Sequence, residues 1–235
     1  MLVRAGLESS VDIEQCLQSR QTTEMTSRLY GREPLRVLQL PNGESLLVRI
    51  YRHGGLLRAV TGRLFITWPP RPFRELSITE EARRRGIPTI EVWGACVERV
   101  WGPVYRGCLL TRQLSGANDL WSVLNSELLR SLGPNQVFRA VATSVRMLHQ
   151  RGIYHRDLNL KNILVRPEPE AVKSYLIDFD KARLFSMSLP AKMAQRNLDR
   201  LLRSARKLDP LRKYLSEEHW SWFLACYHGS DGHEV

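Results

Sequence analysis

No stretch of this sequence approaches the ~20 consecutive apolar residues that a helix needs to span a bilayer. The opening segment MLVRAGLESSVDIEQ holds no apolar signal core, so no export is expected. Cysteine is sparse: Cys16, Cys96, Cys108 and Cys226 are scattered and form no C-x-x-C pair. They are expected to be reduced thiols of a cytosolic protein, neither a disulfide frame nor metal ligands. Low-complexity tracts and internal repeats are missing as well. Lysine is the scarcest charge, with six in all and none before Lys161. The net charge of +11 therefore rests on arginine. A field of that sign attracts anions, whether nucleic acid, an anionic membrane surface, or a phosphorylated or acidic substrate. Genomic composition bias accounts for the arginine as readily as a functional cause.

What is present suits an ordinary globular class. A chain of 235 residues, 43% hydrophobic and 25% charged, can bury a sizeable core as one domain or two small lobes. Its most informative stretch runs His155-Arg156-Asp157-Leu158-Asn159-Leu160-Lys161-Asn162. Sixteen residues after Asn162 comes Asp178-Phe179-Asp180. The first reads H-R-D-x-x-x-x-N, the catalytic loop of the protein-kinase superfamily, and the second stands where that superfamily has D-F-G. Phosphoryl transfer asks little covalent chemistry of the protein. It needs a carboxylate to orient and deprotonate the attacking hydroxyl, and metal ions to bridge the phosphates. Asp157 is the candidate base, and Asn162 and Asp178 are the candidate metal ligands.

The flanking pattern agrees. Residues 135–151 place Val137, Val141, Val145 and Leu148 at helical spacing, and Gly152 follows as a helix-ending glycine. Ile163-Leu164-Val165 is a short apolar run stopped by Pro167 and Pro169, and Tyr175-Leu176-Ile177 leads into Asp178. Helix, loop, strand, turn, strand is the order of a kinase C-lobe. The fold class read from this is α+β, a protein-kinase-like two-lobed fold with a compact C-lobe. Residues 1–112 would form the N-lobe and residues 113–235 the C-lobe.

In the N-terminal half, residues 35–51 read as a hairpin around Pro41-Asn42-Gly43. Its second strand is where a kinase carries the lysine that grips phosphate, and no lysine is there. Arg49 is the best stand-in and Arg52 the second. The alternative is that Arg49 is a solvated strand residue. Arginine keeps the charge, but its longer planar fork makes the exchange non-neutral. Residues 71–86 read as a helix, with Pro72 near its start and Gly86 at its end. Glu75 is the candidate acidic partner, with Glu80 and Glu81 competing. Before the hairpin only Gly31 is available for a phosphate loop, because G-x-G-x-x-G is absent, and Gly54-Gly55 follows the Arg49 strand. Strands are expected over 88–100 and 104–112, a hinge over 113–117 and a helix over 118–130.

These residues together resemble the lipopolysaccharide kinases of Gram-negative bacteria, the Kdo/heptose kinase family, Kdo being 3-deoxy-D-manno-octulosonic acid. The resemblance rests on HRDLNLKNILV, LIDFDKARL, VRIYRHGGLL, RPFREL, GIP, LLTRQL and the tail NLDRLLRSARK, and it runs from about residue 30 to about residue 225. It implies an ATP- and Mg²⁺-dependent kinase acting on a Kdo hydroxyl, expected to be O-4, of Kdo–lipid A. The place of work would be the cytoplasmic face of the inner membrane, with the protein held peripherally against the anionic surface. It further implies Asp157 as the catalytic aspartate and Asn162 and Asp178 as the metal ligands. Arginine in place of the strand lysine, and Asp180 in place of glycine, are shared with this family. Gly31-Arg32-Glu33 departs from a glycine-rich loop.

A heptose kinase of the same family differs only in the acceptor. A compact atypical Ser/Thr protein kinase is disfavoured by Asn159, which stands where that class has lysine, by the missing A-P-E, and by the 57 residues after Asp178. A non-catalytic kinase fold is disfavoured because Asp157, Asn162 and Asp178 are all present. No basic segment with interleaved aromatics points to nucleic acid. Around Trp68-Pro69-Pro70-Arg71-Pro72-Phe73, with Arg58 and Arg63 upstream, the expectation is that Trp68 and Phe73 pack between strand and helix, with membrane contact as the alternative. Trp220 and Trp222 are expected in a helix core. His155 is expected to support the loop without transferring protons, and His149 to lie at a helix end.

Overall fold

The computed structural model describes residues 2–3, 36–39, 43–51 and 62–229. Gly31, Arg52, Gly54, Gly55 and Arg58, together with the Pro41-Asn42 pair, lie outside the described residues. The chain divides into two compact units, Met1–Glu81 with Ile90–Leu114, and Ala82–Thr89 with Ser115–Val235.

The first unit is built on an antiparallel sheet. Its strands are β1 (Leu2–Val3), β2 (Arg36–Gln39), β3 (Ser45–Ile50), β4 (Val92–Trp101) and β5 (Val104–Arg112), in the order β1-β4-β5-β3-β2. Helix α1 (Arg71–Arg84) intervenes between β3 and β4. Alternation along the strands fills both faces of the sheet. Leu46, Val48, Trp93, Cys96, Cys108 and Leu110 form one cluster, and Tyr51, Phe65, Val92, Ala95, Tyr105 and Leu109 form the other. Phe73 and Leu76 of α1 pack on the second cluster. Gly107 permits that close approach, because a Cβ there would lie 2.6 Å from Pro72 Cγ and 2.9 Å from the Cys96 carbonyl oxygen. The β2–β3 register pairs Gln39 with Ser45, as a hairpin requires, and Gly43 has φ +83°.

The second unit is mostly helical: α2 (Leu120–Leu124), α3 (Leu128–Leu132), α4 (Pro134–Gln150), α5 (Ala191–Leu208) and α6 (Glu217–His228). It also holds β6 (Asn118–Asp119), β8 (Ile163–Pro167) and β9 (Val172–Leu176) as a small sheet ordered β6-β8-β9. A two-stranded pair joins β7 (Ile153–Tyr154) to β10 (Arg183–Leu184). Helix α4 buries Val137, Val141, Val145 and Leu148, the four positions its periodicity selects. Burying each such side chain contributes about 1.5–3 kcal/mol.

Two local expectations are corrected. No continuous helix covers 118–130: Asn118 and Asp119 pair with Val165 and Leu164, so the helix starts only at Leu120. Asp119 caps it, accepting from the Ser122 N–H at 3.1 Å, and the chain turns out of the helix at Asn125 before α3. Nor does Pro167 stop the strand before it, because β8 runs through Pro167, which faces Val172 as the strand's last residue. A strand's end tolerates the missing N–H.

Candidate functional site

In the first unit, Arg49 on β3 meets Glu75 on α1. The Arg49 guanidinium is ion-paired with Glu75, and the Tyr51 hydroxyl donates to the same carboxylate oxygen. Arg49 also donates to the Tyr51 oxygen at 3.2 Å and lies over the Tyr51 ring, 5.1 Å from its centroid. Glu75 is buried, whereas the Arg49 side chain is 33% exposed. A buried carboxylate must be paired and hydrogen-bonded, and here it is. The contact arises because Arg49 is the fifth residue of β3 and Glu75 is one turn into α1.

In the second unit, the loop after β7 carries Asp157. His155 is buried and sits between two backbone groups. Its Nδ1 accepts from the Asp157 N–H at 3.3 Å, so the proton belongs to Nε2, which donates to the Ile177 carbonyl at 2.9 Å. That pattern needs a neutral ring, and burial holds the His155 pKa below its usual value. The ring also lies against buried Phe179, with centroids 5.1 Å apart. His155 thus joins the backbone of Asp157 to the residue before Asp178.

The asparagines finish the loop. Asn159 caps the 3₁₀ turn Leu160–Asn162, its Oδ1 accepting from the Lys161 N–H at 2.9 Å and the Asn162 N–H at 3.2 Å. The side-chain amides of Asn159 and Asn162 both donate to the Asp157 carbonyl, at 2.9 and 2.8 Å. With its nitrogen so committed, Asn162 keeps its amide oxygen for another ligand. The Ile177 N–H donates to the Asn162 carbonyl at 3.0 Å, which sets Asp178 beside it. Asp178 has φ +67°, a left-handed backbone uncommon outside glycine and frequent at functional sites.

Helix α5 closes over this loop, and the motif reading missed its part. Asn197 is fully buried, accepts from the His155 N–H at 3.2 Å and donates to the His155 carbonyl at 2.8 Å. Ser204 Oγ accepts from the Leu160 N–H at 3.3 Å. Arg200, between them, forms an ion pair with the Asp157 carboxylate. Positions 197, 200 and 204 are i, i+3 and i+7, one helical face. The signal was there in the tail NLDRLLRS, but nothing local assigned a role to it. His149 is also more than a helix end: it is buried, bonded by Nε2 to Asn197 Oδ1 at 3.2 Å and by Nδ1 to the Tyr227 hydroxyl at 2.7 Å. Trp68 departs from expectation too, being 86% exposed, while Phe73 packs as expected. Trp220 and Trp222 are half-buried, Trp220 stacked on Phe223 at 4.8 Å.

Among the described residues no group of three or more His, Cys, Asp or Glu could hold a metal ion. Mg²⁺ does not require one. It takes one or two protein oxygens and fills its remaining positions with water and substrate phosphates. An amide oxygen from Asn162 and a carboxylate from Asp178 are hard donors of that kind, so the residues fit Mg²⁺ and suit a thiophilic metal poorly.

Known proteins resemble this chain. The 3-deoxy-D-manno-octulosonic acid kinase of Pasteurella multocida (strain Pm70) is 32% identical over 189 residues, covering 79% of this chain and 76% of that protein. The same-named enzyme of Haemophilus influenzae (strain PittEE) is 29% identical over 191 residues, covering 79% and 76%. Among solved structures, WaaP in complex with acyl carrier protein aligns with a TM-score of 0.61 at 17% identity, over 97% of this chain and 88% of that one. At that identity it speaks for the fold alone, a kinase-like α+β architecture. The family model for lipopolysaccharide kinases (Kdo/WaaP) matches residues 17–227, a span that takes in the Arg49–Glu75 pair, the Asp157 loop and the α5 face, so the chain belongs to that family and is a phosphotransferase.

Proposed function

We propose that this enzyme transfers the γ-phosphoryl group of ATP to a Kdo hydroxyl, O-4, of Kdo–lipid A during assembly of the lipopolysaccharide inner core. The observation that carries the reading is the Asp157 loop. Its carbonyl is pinned by two asparagine amides and its backbone N–H by His155. A carboxylate carried on a backbone held so can accept the proton of an acceptor hydroxyl as that oxygen attacks phosphorus and ADP departs. Asn162 and Asp178 would hold Mg²⁺, which supplies charge neutralisation on the phosphates. Arg49, oriented by Glu75 and Tyr51, would grip those phosphates as lysine does in other kinases. Kdo as acceptor follows from the relatives, which carry that activity in their names.

We place the enzyme peripherally at the cytoplasmic face of the inner membrane, where such an acceptor is anchored. Support comes from the first unit, which exposes Ile66, Trp68, Val100 and Trp101. Backbone bonds between Phe65 and Tyr105 bring the two segments together, and Arg63, Arg71 and Arg99 lie in or beside them. Exposed tryptophan with arginine suits an anionic interface. None of the helices among the described residues is long and apolar enough to cross a membrane.

The test is transfer of labelled phosphate from ATP with Mg²⁺, offered Kdo–lipid A, heptosylated core or a generic protein. Label on the Kdo of Kdo–lipid A at O-4, lost in Asp157→Ala while the variant stays folded, is the expected result. Label only on heptose or on protein would overturn the reading. Flotation with anionic vesicles tests the membrane assignment: Trp68→Ser with Trp101→Ser should weaken it, and absence of binding by the native protein would refute it.

A further inference from the structure

We propose that Arg200 is the residue that selects an acidic acceptor: the guanidinium that meets Asp157 also receives the carboxylate of the sugar acid whose hydroxyl Asp157 deprotonates. This rests on the reading of the enzyme as a Kdo kinase. The placement is set from both sides. Asn197 and Ser204, on the same face of α5, bond the loop at His155 and Leu160, so the helix turn between them, which bears Arg200, is held over Asp157.

Stability does not account for the pair. The Arg200 side chain is 44% exposed and that of Asp157 is 40% exposed, and an ion pair so open to water adds little to folding. The anchoring of α5 is already done by Asn197, which is buried. Arginine carries five N–H donors in a planar fork. One Nη of Arg200 goes to Asp157, and among the described residues Asp157 is its only hydrogen-bonding or ionic partner. The remaining donors therefore stand beside the catalytic carboxylate, facing solvent.

A general base must come within hydrogen-bond reach of the hydroxyl it deprotonates. A cation on that same carboxylate is then within reach of the other substituents of the same sugar. Kdo is a sugar acid, and a guanidinium fork matches a carboxylate in a two-bond, charge-assisted arrangement. A neutral acceptor would leave those donors with water only. The site thereby gains a preference for the acid.

Measuring kcat/KM on Kdo–lipid A and on the same acceptor with its Kdo carboxylate converted to the methyl ester, for native enzyme, Arg200→Met and Arg200→Lys, tests this. A charge-assisted contact predicts that the native enzyme favours the acid by about ten- to a hundredfold. In Arg200→Met that ratio should fall towards one, chiefly through a higher KM for the acid, with Arg200→Lys keeping part of it. Thermal melting of the variants should match the native protein. If Arg200→Met is slower yet keeps the native acid-to-ester ratio, Arg200 only positions Asp157 and the proposal is wrong. A native enzyme with no preference overturns it equally. A native enzyme that phosphorylates neither acceptor, but does phosphorylate heptosylated core, refutes the underlying reading instead.

Discussion

Asn197 holds His155 by both sides of its backbone, accepting from the N–H and donating to the carbonyl across 42 residues of sequence. The same Asn197 oxygen accepts from His149, and His149 accepts from Tyr227. One chain of hydrogen bonds thus runs from α6 through α4 and α5 into the Asp157 loop, and on through His155 to the residue before Asp178. Every member has a partner, the condition under which a buried polar network is stabilising.

Asn197→Ala should therefore disturb both stability and rate. It leaves the His155 N–H and carbonyl without their partner in a fully buried place, a loss of about 2–4 kcal/mol. Denaturant unfolding reads the first effect and kcat the second. A variant with native stability and native kcat would show that the loop does not depend on α5.

The two buried histidines predict a pH dependence of stability. Burial lowers the His149 pKa from 6.5 to about 4, opposed by its bond to Asn197 and reinforced by nearby His155, whose own pKa is lowered by burial. The unfolded chain takes up these protons first, so the stabilisation is complete above pH 6.5 and declines as pH falls from 6.5 to about 4. For His149 alone the loss is about 3 kcal/mol. Unfolding free energies at pH 7 and pH 4.5 should differ by this order, and His149→Gln should flatten the difference. Equal stability at the two pH values would contradict a neutral buried His149.

Arg49→Ala should raise KM for ATP by about tenfold or more, since a charge-assisted phosphate contact is worth about 1.5–3 kcal/mol. Glu75→Gln should do the same more mildly, because Tyr51 still holds the guanidinium. ATP kinetics with unchanged KM in Arg49→Ala would return the phosphate grip to Arg52.

Asn162→Ala and Asp178→Asn should shift the Mg²⁺ concentration for half-maximal rate upward by about tenfold or more, as loss of even indirect metal support does. Far-ultraviolet circular dichroism should stay native. A Mg²⁺ titration indistinguishable from native in both variants would remove these residues from the metal site.

Gly152→Ala tests the turn that leads into the loop. Gly152 has φ +71°, and a Cβ there would lie 2.2 Å from the Met187 carbonyl oxygen and 2.7 Å from that of Phe185. Conformational strain and collision act together, so destabilisation of about 2 kcal/mol or more is expected. A melting temperature within a degree or so of native would mean the 185–187 segment yields freely.

Local physics was legible along the chain. The 3.6-residue spacing of Val137, Val141, Val145 and Leu148 made a helix, Gly152 ended it, and the run from Asp157 to Asn162 to Asp178 pointed to a kinase, the family to which the chain belongs. Tertiary structure decided what lies between distant segments. It selected Glu75 as the partner of Arg49, broke the helix expected from 118 by pairing Asn118 and Asp119 with β8, and brought Asn197, Arg200 and Ser204 onto the Asp157 loop. The reason is physical. Periodicity and turn chemistry act over a few residues and can be read in order. Ion pairs and buried hydrogen bonds form only after collapse has chosen which helix face meets which loop, and that choice is made by packing across the whole unit.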